Sequence, residues 1–470
     1  MSRRLWDLSA RLGAQWIMPH RAFPETDADL HPDSLPATFT RLVIDSREVT
    51  PGSLFFALPG ERTDGHRFVA TAFGKGACAA VVQQVPEEEL PGPCLLVEST
   101  RSALWEAGRM IREDLERVRM VGITGSCGKT STKEFAAAAL GFLGKTTATR
   151  GNANNDLGLP LTLSRFDGDE QFGVLEMGMN AFGEIDALAS VGTPEVGIVT
   201  SIFPAHLEGV GSLDGVRRAK GEMVAHVRKV WVVPDTEPTL IQLGRDRGLR
   251  VLTFGRTPEA DFRVVSLDCG MEHSNLRLSC PAGEFNARIP VPGAHQAENA
   301  LAALAAVYAL GQPLEPAILG LEEAQLPGSR SRILRVFGIT VFDDCYNASP
   351  GSLTAVFGWI DKVRTGPLHM VLGDMLELGD ASPRLHREAG AEAAKLSPAS
   401  VLYVGEHASA FAEGFGRPDH FTACGSPEDA ADELLPHLAH GDWVLVKASH
   451  GVGLHRFVER LQELTSCACT

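Results

Sequence analysis

No stretch of this 470-residue chain stays apolar for the roughly 18 residues that a membrane-spanning helix requires, so a transmembrane helix is not expected. Basic charge is also scarce. Lys and Arg number 43 against 59 Asp and Glu, a formal net charge of -16. Such a surface does not attract a phosphate backbone, so non-specific nucleic-acid binding is not expected. A small anion can still be held by one local basic site. The nine cysteines are odd in number and form no Cys-x-x-Cys pair. Cys467 and Cys469 stand close together in the tail and are not read as a metal site. Scattered cysteines of this kind fit a reducing, cytoplasmic compartment. The opening MSRRLWDLSARL lacks the apolar core of a signal peptide. Its Leu5, Leu8 and Leu12 fall at helical spacing, which predicts a packed amphipathic helix. Internal repeats and low-complexity segments are absent as well.

What is present suits a multi-domain α/β protein. Apolar residues make up 44% of the chain, enough for real cores, and the length suggests three domains. The most informative stretch is GITGSCGKTSTKEF at 122–135. Val118–Thr124 is strand-like, Gly125–Gly128 is a glycine-bearing turn, and Ser131–Leu140 is rich in helix formers. Strand, turn and helix in that order form a phosphate-binding loop. Amide groups at a helix start attract phosphate oxygens, and glycines permit the close approach. Lys129 would reach the β/γ-phosphates and the Thr130 hydroxyl would hold Mg²⁺. The usual loop carries a further glycine where this chain has Ile123.

Before residue 118, short strands are predicted at 41–45, 53–58, 79–83 and 94–98, with a helix at 102–115. From 118 to 327, apolar runs at 172–177 and 196–202 read as buried parallel strands. Residues 262–290 read as antiparallel strands, and 295–310 as an Ala-rich helix. The segment 326–332 is a predicted linker. Beyond it, strands at 339–343, 368–373, 400–404 and 443–447 alternate with helices, a βαβ pattern that predicts a Rossmann-like domain. The expected domains are 1–117, 118–327 and 328–470.

Several residues stand at predicted carboxyl ends of strands, where ligands sit in α/β sheets. Glu176 ends one strand, and His206 follows another in PAHLEG. A carboxylate, an imidazole and a threonine hydroxyl can share Mg²⁺ with phosphate. Each also has an ordinary reading, as a solvated loop carboxylate and a packed histidine. Lys220 in RRAKGEM reads by itself as a solvated helix lysine. Asn152, Asn154 and Asn155 are turn formers first, and the Asp343–Asn347 segment reads equally as an Asx turn. Ser46-Arg47 and Asp64-Gly65-His66 could meet an anionic ligand, but as tripeptides they are weak signals.

Collinear motifs resemble the Mur ligase family over nearly the whole chain. They include DSREVTPGSLFFALPGERTDGHRF at 45–68, TGSCGKTSTKE at 124–134, GNANNDLGLPLTL at 151–163 and LEMGMNAFGEI at 175–185. They continue with AHLEGVGSLDGVRRAKGEM at 205–223, PGAHQAENALAAL at 292–304, DDCYNASPGSL at 343–353, LGDMLELG at 372–379 and VLVKASHG at 444–451. The family's own loop form, TGxxGKT, accounts for the missing glycine. The resemblance implies a UDP-substrate domain, a central P-loop ATPase domain with a mostly parallel sheet, and a C-terminal Rossmann-like ligase domain. It implies a monomeric amide-bond ligase, dependent on ATP and Mg²⁺, that makes peptidoglycan precursor and releases ADP and phosphate. The implied substrates are UDP-N-acetylmuramoyl-tripeptide and D-alanyl-D-alanine, joined through an acyl phosphate.

By the same resemblance, Thr124, Gly125, Ser126, Cys127, Gly128, Lys129 and Thr130 hold the nucleotide, with Asn299 at the adenine, Arg330 near the phosphates and Asp344 at the ribose. Thr130, Glu176, His206 and Lys220 are the implied Mg²⁺ ligands. Lys220 matches a lysine that can be carbamylated, which reverses its solvated reading. Ser46, Arg47 and His66 match the UDP-sugar pocket, Lys447 and Ser449 the acceptor side, and Asn154, Asn155 and Asn347 further substrate contacts. Two departures stand out. Cys127 replaces a Ser or Asn, and KASHGVG at 447–453 stands where relatives often carry Gly-Ser-Arg.

Other readings stay open at this level. A ligase adding meso-diaminopimelate usually carries a D-[ND]-P-R motif, which is absent here. A folylpolyglutamate synthetase shares the ATPase core but usually lacks such an N-terminal domain. A catalytically silent binding protein is opposed by the presence of Lys129, Thr130, Glu176, His206 and Lys220.

Overall fold

The computed structural model describes residues 3–18, 38–60, 63–85, 91–328 and 330–467. Cys469 lies outside them. Among the described residues no helix is long and apolar enough to cross a membrane. The chain forms two compact units. One comprises Met1–Gly122, Gly144–Met177 and Asp186–Pro194, and the other Ile123–Leu143, Gly178–Ile185 and Glu195–Thr470.

In the first unit, the short apolar runs become a five-stranded sheet. Its order is Gln15–Ile17, Cys94–Leu96, Ala79–Val82, Ser53–Phe56 and Arg41–Val43, parallel except for the first pair. Strands such as AAVV and SLFF are buried at every position, which is why they read as continuous apolar runs. The helix Thr100–Asp114 starts where the Ser99 side chain accepts the Ser102 N–H. It buries Ala103, Leu104, Ala107 and Ile111 along one face. The opening helix Leu5–Leu12 buries Leu5 and Leu8, as their spacing predicts. The same unit holds a parallel pair, Thr146–Ala148 beside Phe172–Glu176.

In the second unit, Val196–Val199, Val230–Pro234, Arg250–Gly255 and the start of Phe262–Cys269 pair in parallel. Phe262–Cys269, Ser274–Cys280 and Gly283–Ile289 then form the expected antiparallel strands. The Ala-rich helix Ala294–Ala309 is buried along most of its length and packs on Lys129–Gly141. Small side chains let two helices approach with no bulky layer between them.

The C-terminal sheet runs Arg332–Val336, Ile339–Asp343, Trp443–Lys447, Leu368–Gly373, Ser400–Val404, Phe421–Cys424. All its pairings are parallel except the first. Helices cover both faces, one core built around Trp359, Ile360 and Trp443 and the other around Val444, Val446 and Phe457. This is the doubly wound architecture expected.

One expectation needs correction. The sequence predicts a linker over 326–332 and no element before 339, yet Arg332–Val336 forms a strand. Phe337 (φ +49°) and Gly338 (φ +77°) make a two-residue turn with both φ positive, the geometry of a tight β-hairpin. The last strand, Trp443–Lys447, inserts between Ile339–Asp343 and Leu368–Gly373. The carboxyl ends carrying Asp344, Asp374 and Lys447 therefore gather at one edge of the sheet.

Beneath that edge Trp443 packs edge-on against Trp359, which lies 4.4 Å from Phe342 between ring centroids. Replacing Trp443 by Ala empties the centre of this aromatic group. It should lower stability by about 3–5 kcal/mol, read as a fall in the denaturant midpoint of the C-terminal segment.

Candidate active site

The strand Arg119–Thr124, the turn 125–128 and the helix Lys129–Gly141 form the predicted phosphate loop. Gly125 has φ +148°, and a Cβ there would fall 1.9 Å from Thr200 Oγ1. Gly128 has φ +83°, and a Cβ there would meet the Asn299 amide oxygen at 2.2 Å. Both positions need glycine for conformation and for close approach.

The segment after Val196–Val199 fastens the loop. Ser126 N–H donates to Ser201 O at 2.9 Å, and Cys127 N–H donates to Ser201 Oγ at 3.0 Å. Ser126 Oγ–H donates to Phe203 O at 2.9 Å and accepts Phe203 N–H at 3.0 Å. Thr200 Oγ–H donates to Cys127 O. The Ser126 and Cys127 amides, expected at the nucleotide, are thus spent on holding the loop. Thr124 is fully buried, its carbonyl accepting Thr200 N–H at 2.9 Å. The anion-attracting end of this unit is the start of the 129–141 helix. There Lys129 Nζ bends back to Gly125 O at 2.7 Å, and Thr130 is buried.

In the first unit Glu176 is 2% exposed, so it is not a solvated loop carboxylate. Asn154 Nδ2–H donates to its Oε1 at 2.8 Å, and its own N–H donates to Thr149 Oγ1 at 3.0 Å. Asn154 therefore orients the carboxylate. Asn155, also expected at the substrate, uses Oδ1 to accept Gly158 N–H at the start of a short helix.

The second unit holds a compact group of charges. The helix Leu213–Gly221 is capped by Ser212 and buries Val216, Ala219 and Lys220 on one side. Lys220 is 0% exposed, and its Nζ has no hydrogen-bond partner. Burial holds its amine well below the ordinary lysine range, and the neighbouring Lys129 ammonium adds to the effect. Read from its helix alone Lys220 is solvated; the fold places it inside.

His206, at φ +54°, starts the short helix Leu207–Val210. Its Nδ1 lies 2.5 Å from Glu377 Oε2, without hydrogen-bond alignment of the ring N–H, and Leu207 N–H donates to Glu377 O at 2.8 Å. The His206 contact draws the Glu377 carboxyl below the usual range, burial opposes it, and the charges of His206, Lys129 and Lys220 add to the lowering. Reading the sequence did not single out Glu377. Its signal was present in LGDMLELG, which follows a strand at the ligand-binding edge.

Around the C-terminal sheet edge, Lys447 Nζ–H donates to Asp344 Oδ2 at 2.5 Å and to Asn347 O at 2.9 Å. Lys447 is 2% exposed. It is a buried partner of Asp344. Ser449, expected with Lys447 on the acceptor side, accepts Leu376 N–H on Oγ at 2.9 Å and is buried. Asn347 Oδ1 accepts the adjacent Ala348 N–H. Asp344 also accepts Ser331 N–H at 3.0 Å, and the Arg330 guanidinium lies 3.7 Å above the Tyr346 ring. Asn299 donates to Gln296 Oε1 at 3.0 Å while its own oxygen abuts Gly128. Nearby His295 is half-buried with its Nδ1 enclosed, and desolvation pushes its imidazole down to about 4. Cys127 Sγ sits 2.9 Å from Ser349 Oγ, the cap of the helix Pro350–Val363.

Of the expected UDP-sugar residues, Arg47 is open while Ser46 and His66 are enclosed. Arg47 is 86% exposed at its side chain and paired with Asp45, and Ser46 is buried. His66 Nδ1–H donates to Asp64 at 2.6 Å, and its Nε2 accepts Gln83 N–H at 2.9 Å. Both ring nitrogens are engaged within the protein, which makes His66 a support and not a free contact. Among the described residues, the one carboxylate group with metal-ligand spacing is Asp167, Asp169 and Glu170. It is built around the ammonium of Lys145.

A phosphate loop fastened to a neighbouring strand end, a buried amine beside it, and a doubly wound C-terminal sheet together define a nucleotide-dependent ligase architecture. The pattern of the Mur ligase middle domain matches residues 123–307, that of the Mur ligase glutamate ligase domain 329–450, and that of the Mur ligase family catalytic domain 38–115. The chain belongs to the Mur ligase family. It is 34% identical over 435 residues to the UDP-N-acetylmuramoyl-tripeptide–D-alanyl-D-alanine ligase of Escherichia coli K12, covering 92% of this chain and 95% of that one. Among solved structures it resembles MurF from Acinetobacter baumannii, with TM-score 0.87, 31% identity, and 98% and 99% of the two chains covered. It also resembles the Thermotoga maritima MurF ligase in complex with ADP, with TM-score 0.80, 26% identity, and 91% and 98% covered.

The Lys220 environment yields a stability test. The amine binds its proton less readily folded than unfolded, where its ordinary value is 10.5. The folded state is therefore penalised increasingly as pH falls below 10.5 toward the lowered folded value. In CO₂-depleted buffer, Lys220→Met should raise the thermal midpoint, and its advantage should grow as pH is lowered through that window. An unchanged or lower midpoint would mean the amine is not held in a desolvated site.

Proposed function

We propose that this protein is an ATP-dependent ligase that joins D-alanyl-D-alanine to UDP-N-acetylmuramoyl-tripeptide in peptidoglycan precursor synthesis. The observation that carries the reading is full-length similarity to relatives of that name, combined with the fastened phosphate loop and the buried Lys220 beside it. Alternatives among the other Mur-type ligases and folylpolyglutamate synthetase are not favoured, because the relatives that are a third identical along the chain carry the tripeptide–dipeptide name, whereas the solved diaminopimelate ligase and folylpolyglutamate synthase are 17% identical. The reaction takes place in the cytoplasm, where its nucleotide-linked substrate and ATP are found. The three functional domains are 1–117 for the UDP-linked substrate, 118–327 for ATP and 328–470 for the ligase half.

The carboxylate of the tripeptide is a poor electrophile. It takes the γ-phosphoryl group of ATP, releasing ADP and leaving an acyl phosphate. The amine of D-alanyl-D-alanine then attacks that carbonyl, loses a proton, and phosphate departs. The chain's part is positioning and charge compensation. Lys129 supplies positive charge at the β/γ-phosphates, from a loop whose shape is already set by Ser201 and Phe203. Asn299 closes the loop from behind at Gly128.

The residues present fit the Mg²⁺ that such a reaction uses. The buried Lys220 Nζ is an amine without a partner, and burial disfavours its charged form, which favours the uptake of CO₂. As a carbamate it becomes an oxygen ligand, releasing one proton. Thr130, Glu176, His206 and this modified Lys220 are the residues the family reading gives to the metal. Mg²⁺ when bound would offset charge on the transferring phosphoryl group.

The test is ADP release with the UDP-linked tripeptide and one amine at a time. D-alanyl-D-alanine should be the amine that drives turnover, ahead of meso-diaminopimelate and glutamate. Lys129→Ala should fall by roughly 100- to 1000-fold while the protein stays folded. Turnover with a different amine would reassign the substrate, and near-normal turnover of the variant would remove the loop from the mechanism.

A further inference from the structure

Six non-glycine residues among those described have positive φ, and two of them face each other: His206 at +54° and Glu377 at +64°. A left-handed conformation is strained for a residue that bears a side chain. Such strain persists where the surroundings over-determine it, and it concentrates at functional sites. Here the surroundings are explicit. The Asp374 carboxylate accepts Tyr403 O–H at 3.0 Å, Glu406 N–H at 2.8 Å and His407 N–H at 3.1 Å. Met375 N–H donates to His386 Nε2 at 2.9 Å, and Leu376 N–H donates to Ser449 Oγ at 2.9 Å. The buried His386 is held in turn by its Nδ1–H, which donates to Ser382 O at 2.7 Å. Three consecutive residues are thus anchored, and the fourth, Glu377, is delivered to His206. Its backbone oxygen takes Leu207 N–H, and its carboxylate stands 2.5 Å from His206 Nδ1.

At 2.5 Å the negative charge of the carboxylate favours a proton on the facing ring nitrogen over a lone pair there, even with the N–H out of hydrogen-bond alignment. We propose that Glu377 is a positioning residue for His206, holding the imidazole as the Nδ1–H tautomer so that the ring's lone pair is on Nε2. This rests on the reading of His206 as a site residue. A carboxylate behind a working imidazole commonly has this effect, fixing the tautomer and making the other nitrogen a better base or ligand. The anchored 374–376 segment exists, in this view, to aim one side chain. Glu377 is half exposed and contributes little to any core.

The test uses the full-length chain labelled with ¹⁵N-histidine, with the His206 signals identified by their loss in His206→Gln. Long-range ¹H–¹⁵N spectra should show the Nδ1–H tautomer in the unaltered protein. Glu377→Ala should shift His206 toward the Nε2–H form. Glu377→Gln, whose amide oxygen can still accept the proton, should keep the original tautomer. Amine-dependent ADP release should fall roughly 10- to 100-fold in Glu377→Ala and less in Glu377→Gln. An unchanged His206 tautomer in Glu377→Ala, or wild-type turnover by that variant, would overturn the proposal. If the unaltered protein releases no ADP with any amine, the functional reading fails, while the tautomer comparison still decides the role of Glu377.

Discussion

The site depends on the hydrogen bonding between the phosphate loop and the segment Thr200–Phe203. Ser126 and Cys127 give their amides to Ser201, and Ser126 exchanges two further bonds with Phe203. Thr200 fills the space that a side chain at Gly125 would need. The loop is therefore shaped by protein groups. This is what preorganisation means in structural terms: the geometry is set by bonds already made. The same segment continues into His206 three residues after Phe203, so one short stretch fixes the loop on one side and the imidazole on the other. Phe203 also lies against Gly351 in the helix Pro350–Val363, where a Cβ would come within 2.6 Å of its ring. Loop, imidazole and the first turn of a C-terminal helix share one support.

Charge in this region is arranged for a polyanion. Burial disfavours a charge on Lys220, and the nearby Lys129 ammonium disfavours it further. Left alone, two cations beside each other are an expensive arrangement. The Glu377 carboxylate offsets it, and phosphate would do so further. Farther along the sheet edge, Lys447 is neutralised by Asp344 and shares its ammonium with the Asn347 carbonyl. A buried lysine so fully engaged stabilises the switch point of the C-terminal sheet and leaves other groups to meet ligands.

Much of this was legible in the sequence, for physical reasons. Buried parallel strands declare themselves as short apolar runs, and FGVLE, LHMVLG and WVLVK fell where such runs predict. The loop was legible because its glycines and its Lys-Thr pair serve a local geometry. The burial of Lys220 could have been read from spacing: it lies four residues after Val216 and one after Ala219, on the face that packs inward. What the sequence could not disclose were pairings across long separations. His66 finds Gln83, Lys447 finds Asp344 more than one hundred residues away, and His206 finds Glu377. Each motif marked a residue that the fold engages, but the motif alone could not tell a ligand contact from a support. The strand Arg332–Val336 was hidden because its arginines resemble linker composition, while the Phe337-Gly338 turn that makes it a hairpin is only two residues long.

The thiol of Cys127 has a consequence of a different kind. It sits on the phosphate loop, partly exposed, in contact with the hydroxyl that caps the helix Pro350–Val363. Where a serine or asparagine would present a hard, inert oxygen or amide, this chain presents a soft and polarisable sulfur. An electrophile carried by a nucleotide-shaped scaffold would find a bond-forming partner at the loop itself. Selectivity among otherwise similar ligases could then come from covalent chemistry at a single atom, with the shared architecture of the pocket left to supply only the approach.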